Sequence, residues 1–459
     1  MENNNTFALL SSLGRFFHRN IIFVKPYTDQ MKHIIVGGVA GGATAAARIR
    51  RADEQAEIIL FEKGKYISYA NCGLPYYIGG AITEREKLFV QTPASFGGRF
   101  NIDVRVENEV VGIDTIAKRV EVRRADGSTY AESFDKLLLS PGATPVRPPL
   151  EGIDSEGVFT LRNVDDTDRI KSYIASHKIK SAVIVGAGFI GLEMAENLHH
   201  AGAEVSVVEM GNQVMAPVDF SIASHVHQHL LQKGVRLFLG QSVERFERSG
   251  NNIEVFFAHG GSIVTDLVIL SIGVRPEITL AKVAGLRIGD AGGIWVDDYL
   301  QTTNPKIHAI GDVKGGLQFT YISLDDYRIL REDLFGAGER KVSDRDPVSY
   351  SVFIDPPLSR IGLSEAEARK KGLNIKVNKL PVAAIPRART LGDTNGLFKV
   401  VVDADTDKIV GCTLFGPESS EVINLVAMAM KTGQEYTFLR DFVFTHPSMS
   451  EALNDLMGF

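Results

Sequence analysis

The chain has 459 residues, 44% hydrophobic and 23% charged, with a formal net charge of −6 at pH 7. That length supports several buried cores, and the mildly acidic balance with scattered basic residues argues against nucleic acid or an anionic membrane as main partner. Two cysteines, Cys72 and Cys412, give no disulfide framework or cysteine metal cluster and fit a reducing, cytoplasmic setting; no apolar run reaches the roughly eighteen residues of a membrane span.

Residues 1–30 are expected to be a mobile extension, because neither a basic n-region nor a small-residue cleavage site frames their short apolar stretch. From Met31 the pattern turns to α/β. KHIIVGGVAGGATAAARIRR (32–51) predicts a buried strand, a glycine turn and a helix, and EIILFEK (57–63) the next strand, closing on Glu62 and Lys63. Such a turn points backbone amides at a pyrophosphate, and the closing acid takes ribose hydroxyls. Gly37 and Gly42 occupy the first and third positions of the G-x-G-x-x-G fingerprint; Val39 departs from it at the second, while Gly38 and Gly41 keep the turn permissive.

The unit recurs in SAVIVGAGFIGLEMAENLHHAGAEVSVVEM (181–210), where Gly186, Gly188 and Gly191 complete the fingerprint and Glu209 ends the next strand. One glycine-rich turn is weak evidence; two, each with strand, helix and closing acid, are strong. Two dinucleotides are expected. Glu209, with no Arg or Lys in MGNQVMAP (210–217), favours NADH over NADPH at the second. KLLLSPGATPVRPP (136–149) and LVILSIGVRPE (267–277) read as strands breaking at Gly142 and Gly273, where the chain passes between nucleotide units. IHAIGDVKGG (307–316) ends a strand at Gly311 and Asp312, an acid suitably placed for a flavin ribityl chain. The expected architecture is α/β: a Rossmann-like FAD domain (31–150 and 271–345) interrupted by a Rossmann-like NAD(H) domain (151–270), then an α+β dimerisation domain (346–459). In that last part EVINLVAMAM (421–430) predicts a buried helix and KVVVDADTDKIVGCTLFG (399–416) a hairpin.

Cys72 sits in SYANCGLPYYIGG (68–80), about thirty residues after the first turn. A thiol without a CxxC or CxxxxC partner works through a mixed disulfide, a sulfenate or a persulfide. Cys412, in an alternating strand, reads as packing. His225, His227 and His229, without a nearby Cys or second ligand set, read as part of a helix, and no metal site is expected.

Across 31–459 these segments resemble the two-dinucleotide flavoprotein disulfide reductases. Over 31–303 the turn VGGVAGGATAAARIRR, FEKGKYISYANCGLPYYIGG and TLRNVDDTD (160–168) are similar to coenzyme A-disulfide reductases. The resemblance implies that Cys72 is the redox-active nucleophile. It further implies that Gly37, Gly38, Gly41, Gly42, Glu62, Lys63, Gly142 and Asp312 hold FAD, and that Gly186, Gly188, Gly191, Glu209 and Gly273 hold NADH. Coenzyme A contacts carry over to Thr44, Arg51, Ser68 and Asn71, and to Arg48, where some members have Gln. From residue 305 onward, GDVKGGLQFTYISLDDYRIL (311–330), LPVAAIPRARTLGDTNG (380–396) and FTHPSMSEALNDL (444–456) resemble instead the branch of lipoamide dehydrogenase, glutathione reductase, mercuric reductase and the reactive-chlorine-resistance flavoproteins with metal-ion reductase activity. In that branch HPxxxE supplies a dyad reaching the partner subunit's cysteine, which implies a role for His446 and Glu451. The tyrosine segments of the first branch, AGYYPG and YAPPYS, and the CxxxxC pair of the second are both missing, and no rhodanese domain is expected after Phe459.

The expectation is therefore a homodimeric, FAD-dependent, NADH-preferring reductase of a small-thiol disulfide or persulfide, coenzyme A disulfide being the first candidate. The alternatives are an NADH oxidase or peroxidase, a Cu(II) or Hg(II) reductase and, in another class, an NADH-sensing flavoprotein that changes partners. The Cys72 thiol is expected to have a lowered pKa from the flavin surroundings and nearby amides.

Overall fold

Two five-stranded parallel sheets carry the two glycine turns. The computed structural model describes residues 30–459, so the expectation of a mobile extension lies, through residue 29, outside the described residues. In the first sheet Lys32–Val36 is central, between Glu57–Glu62 and Lys136–Leu139, with Asp103–Val106 and Ile307–Ala309 at the edges. The runs IIV, IILF and LLL are buried throughout, the continuous apolar pattern of parallel strands covered on both faces. The second sheet runs Arg236–Leu239, Glu204–Glu209, Ser181–Val185, Leu267–Leu270 and Val158–Thr160. The first sheet's last strand, Ile307–Ala309, comes after the entire second sheet in sequence, so the second unit is inserted in the first. The outgoing and returning segments, Ala143–Pro145 and Val274–Pro276, pair antiparallel with each other. Among the described residues no helix is long and apolar enough to cross a membrane.

The C-terminal sheet is antiparallel, in the order Ser349–Val352, Leu358–Gly362, Ile409–Phe415, Leu397–Asp403, Ile375–Pro381. The predicted hairpin forms, with Phe398 opposite Leu414. The predicted buried helix, Ser419–Lys431, is buried on one face only: Val422, Ile423, Val426 and Ala429 pack inward, whereas Met428 is 67% exposed. Its apolar residues run further around the helix than this subunit's core can cover.

A buried ion network fastens this sheet to the second nucleotide unit. Lys399 lies in the sheet with its side chain 3% exposed, and its Nζ donates to Asp219 at 2.7 Å and meets Glu365 at 2.8 Å. Asp219 also accepts from the amides of Glu365 and Ala366. Burial alone would raise the Asp219 carboxyl, but Lys399 and the two amides hold it below the usual carboxylate range. That contribution is present above the unfolded carboxyl's pKa and is lost as acid protonates Asp219. Lys399→Ala leaves the Asp219 carboxylate without its cation, while Glu365 keeps Arg369, and should cost about 3–5 kcal/mol; an unchanged thermal unfolding midpoint near neutral pH would show the network to be dispensable.

Candidate active site

Each turn is shaped by two glycines that nothing else can replace. Gly37 has φ +100°, and a β-carbon there would lie 2.1 Å from the Ser140 carbonyl oxygen; one on Gly42 would lie 1.8 Å from the Gly37 oxygen. Gly186 and Gly191 repeat this, at 2.5 Å from the Ser271 oxygen and 2.0 Å from the Gly186 oxygen. The middle position makes no such demand. Val39 precedes helix Ala40–Ala52 with φ −95°, and Gly188 precedes helix Phe189–His200 with φ −86° and would carry a β-carbon with nothing within 4 Å, so this position requires neither a positive φ nor a missing side chain.

The closing acids also match. Glu62 accepts from the amides of Gly38 and Gly64, both at 2.8 Å, and Glu209 from those of Ala187 at 2.8 Å and Gly211 at 2.7 Å. Lys63 beside Glu62 is exposed, and Gly41 packs against Ser140 and Ile310. Gly142, at φ +79°, lies under the Arg162 guanidinium, and Gly273, at φ +107°, faces open space.

Asp312 sits in the short turn Gly311–Lys314 after the last strand of the first sheet. Burial raises its carboxyl, with Arg162 and Lys314 opposing. The turn is held by Asp326, which is fully buried, accepts from the Gly311 amide at 2.7 Å and pairs with Arg345 at 2.7 Å and Lys314 at 3.2 Å. Sequence reasoning missed Asp326, Arg345 and Arg162. A signal existed for the first: Asp326 falls one helical repeat after Ile322 and one before Leu330, on the apolar stripe of helix Thr320–Phe335. Helix-terminal amides, a carboxylate closing the second strand and a buried acid beyond it fit a dinucleotide with a ribityl chain at the first turn.

The segment bearing Cys72 hangs on that turn. Ser68, at φ +47°, donates its amide to the Gly38 oxygen at 2.9 Å, and its own carbonyl accepts from Val90 at 2.8 Å. Cys72 comes next in the turn Asn71–Gly73, which runs into helix Leu74–Ile78. Its thiol reaches the surface, and the neighbouring Asn71 Oδ1 is buried without a hydrogen-bond partner, an acceptor open to a ligand's donor. Thr44, Arg48 and Arg51, spaced i, i+4 and i+7, share one face of helix Ala40–Ala52, and both arginines are exposed.

The protein's own groups raise the Cys72 pKa, which leaves the expected lowering to the flavin surroundings. Packing around the sulfur pushes the thiol up and the Glu193 carboxylate adds to this, against the Thr320 hydroxyl and a local amide that pull it down. Glu193 lies on helix Phe189–His200 and accepts from the Phe353 amide at 3.1 Å. Its burial, with Glu196 adding, raises it to about 7.

His446 Nδ1 lies 2.7 Å from Glu451 Oε2. The imidazole is 71% exposed, while Glu451 is mostly buried and its Oε1 has no partner. Among the described residues no hydrogen bond joins this dyad to Cys72 of the same chain. Cys412 is 1% exposed in the C-terminal sheet, and burial pushes its thiol far up. Two of the three helix histidines are used separately: His227 Nε2 accepts from the Val214 amide at 3.1 Å, and His229 packs edge-on against Phe415.

Two sheets each ending in a carboxylate-braced glycine turn, with an accessible thiol beside the first, define a disulfide oxidoreductase that uses two dinucleotides. Residues 31–326 match the pyridine nucleotide-disulphide oxidoreductase family and residues 348–457 its dimerisation domain. The chain belongs to this family of enzymes, which bind FAD and NAD(P)H. It is 39% identical over 361 residues to the probable pyridine nucleotide-disulfide oxidoreductase RclA of Escherichia coli, spanning 78% of this chain and 79% of that one. It is 37% identical over 448 residues to coenzyme A disulfide reductase of Staphylococcus epidermidis, spanning 93% and 99%. The crystal structure of reduced Bacillus anthracis CoADR-RHD superposes with TM-score 0.85 at 36% identity, over 94% of this chain and 81% of that one.

Glu193→Gln removes a charge that raises the Cys72 pKa. The pH midpoint for alkylation of the thiol by iodoacetamide should fall by about 0.5–1 unit. Because Glu193 is already largely neutral below pH 7, parent and variant should differ only above it; coincident profiles would refute the coupling.

Proposed function

We propose that the chain is an NADH-preferring, FAD-dependent reductase of a small-thiol disulfide or persulfide, coenzyme A disulfide first, acting as a homodimer. One observation carries this reading: the accessible thiol is alone. Cys412 is sealed in another sheet, so the sulfur that oxidises Cys72 must come from outside the chain. The relatives described as coenzyme A disulfide reductases support the choice of acceptor.

When bound at Gly37 to Gly42, Glu62 and Asp312, FAD supplies the passage of two electrons from NADH to sulfur. The residues divide the remaining work. The Cys72 thiolate attacks one sulfur of the acceptor; the S–S bond breaks, one thiolate leaves and the other half stays on Cys72 as a mixed disulfide. Two electrons from NADH then cleave that bond, returning the Cys72 thiolate and the second thiol. Each departing thiolate needs a proton, which His446 of the partner subunit gives from Nε2 while Glu451 holds the Nδ1–H tautomer. At the second turn the Glu209 carboxylate repels a 2′-phosphate, disfavouring NADPH.

Cys72→Ser should abolish NADH-driven reduction of coenzyme A disulfide while NADH still reduces the bound flavin. His446→Ala should slow the disulfide half-reaction by roughly 100- to 10,000-fold with flavin content unchanged. A Cys72→Ser enzyme working at the parent rate would make the chain a flavin-only reductase of oxygen or Cu(II).

In kcat/KM, NADH should lead NADPH by about tenfold or more, a gap of ~1.4 kcal/mol, and Glu209→Ala should narrow it. An NADPH lead of that size would overturn the assignment of Glu209.

A further inference from the structure

We propose that Phe319 is a positioning residue that couples occupancy of the second glycine turn to Cys72, through the ring of Phe189 on one side and the hydroxyl of Thr320 on the other. The proposal rests on the reading of the second turn as the nicotinamide dinucleotide site and of Cys72 as the reacting thiol, and adds a link between them.

Four aromatic rings meet where the three parts of the chain join. Phe189 opens the helix at the second turn, directly after Gly188. Its ring stands edge-on to Phe319 at 5.6 Å and to Tyr350 at 5.3 Å. Phe319 in turn lies nearly parallel to Tyr321, at 5.2 Å and 9°, and to Tyr350, at 5.8 Å and 19°. Offset-stacked and edge-to-face contacts at such separations are the favourable geometries of aromatic pairs. The two tyrosines are tethered by their hydroxyls: Tyr321 donates to the Ser349 carbonyl at 2.8 Å, and Tyr350 accepts from Arg360 at 3.2 Å. A phenylalanine ring has no such tether, so Phe189 and Phe319 are held by packing alone.

Both ends of that pair lead to chemistry. A dinucleotide at the second turn lays its pyrophosphate on the first amides of the helix that Phe189 begins, so whatever binds there meets Phe189. At the other end Phe319 caps helix Thr320–Phe335, its carbonyl accepting from the amides of Ile322 and Ser323 at 3.0 and 3.2 Å. Thr320 follows it, with the hydroxyl that reaches the Cys72 thiol. Packed side chains exchange between discrete arrangements rather than deform by degrees, so displacing Phe189 re-seats Phe319 and the first turn of its helix. In the arrangement seen, the Thr320 hydroxyl hydrogen-bonds the sulfur and favours the thiolate; re-seating withdraws it. The other groups facing Cys72 are Glu193, one helical turn after Phe189, and Tyr76, one turn along the thiol's own segment. Both are bonded to Phe353 in the C-terminal domain. Because Glu193 shares a helix with Phe189, the discriminating substitutions are made at Phe319 and leave it in place.

The test uses the full-length FAD-bound enzyme with Cys72 reduced, and NAD+ as a ligand with no hydride to give. Iodoacetamide reads that thiol alone, since Cys412 is 1% exposed. Saturating NAD+ should raise the pH midpoint of alkylation by about 0.5 unit, a roughly threefold slowing at pH 7. Phe319→Leu should remove the shift, and Phe319→Tyr, which keeps the ring, should preserve it. Calorimetry on the same samples confirms that NAD+ binds, and unchanged flavin content confirms that the variants are folded. A slower reaction with an unmoved midpoint means that NAD+ only shields the sulfur and overturns the coupling, as does a Phe319→Leu enzyme that shifts like the parent. If NADP+ binds and NAD+ does not, the preference for NADH falls; the same midpoint shift with NADP+ then supports the coupling, and its absence overturns it.

Discussion

A carboxylate spanning two backbone amides across a glycine turn is the contact on which both nucleotide units depend. Glu62 and Glu209 each take one amide from the turn and one from the residue after next. Charged acceptors of this kind contribute about 1.5–3 kcal/mol per bond. Their larger effect is positional, since they lock the end of the second strand to the turn that must present its amides to a pyrophosphate. The loop leaving each of these strands inherits that placement. Ser68 donates to the Gly38 oxygen from a left-handed conformation, and Met215 does the same to the Ala187 oxygen, both at 2.9 Å and with φ of +47° and +49°. The duplicated scaffold has thus diverged at one spot. In the first unit the loop leads four residues on to an accessible thiol, while in the second the corresponding loop is capped by a buried methionine.

The electrostatics around that thiol run against simple activation. A nucleophilic cysteine is commonly paired with a cation or a helix N-terminus; here the prominent neighbour is Glu193, on the helix of the other nucleotide unit. With the carboxyl raised to about 7, the two groups can share one negative charge: ionising Cys72 becomes easier when Glu193 takes a proton, and the net buried charge does not change. Because Glu193 accepts from the Phe353 amide and Tyr76 donates to the Phe353 carbonyl, this exchange is tied to the C-terminal domain as well. Thiol reactivity is in this way a property of three parts of the chain, not of the NC pair alone.

That distribution explains what the sequence disclosed. The glycine turns, their closing acids and the His446–Glu451 pair lie within short stretches, where spacing determines geometry. The insertion of one nucleotide unit into the other was legible because continuous apolar runs mark its strands. Gly37 and Gly42 were legible as necessities and Val39 as a departure, yet only the structure shows that its position requires no positive φ. The part of the Cys72 pKa set by residues 193 and 320 was not legible, because no local pattern connects them to residue 72. Arg345 was missed for the same reason, since it braces the Gly311 turn through a tertiary contact with Asp326, whose own signal was its place on an apolar helix stripe. The helix Ser419–Lys431 misled because apolar composition reports that a surface is covered, not by which chain.

The exposed face of that helix bears on the dyad. Met428, Phe438, Phe442 and Val443 all present large apolar side chains at the surface of the C-terminal domain, the last three a few residues before His446. Leaving such a group in water forgoes roughly 1.5–3 kcal/mol per side chain, so a second surface over them is strongly favoured. The match of residues 348–457 to a dimerisation domain identifies the kind of surface. His446 shares this exposure, whereas Glu451 is held inside with one oxygen lacking a donor. A histidine kept only for its subunit's own stability would gain little from such a carboxylate while its far nitrogen faced solvent. In the proposed function an imidazole fixed at Nδ1 and presented at Nε2 acts on what arrives with the covering subunit, and association would then be part of completing the site.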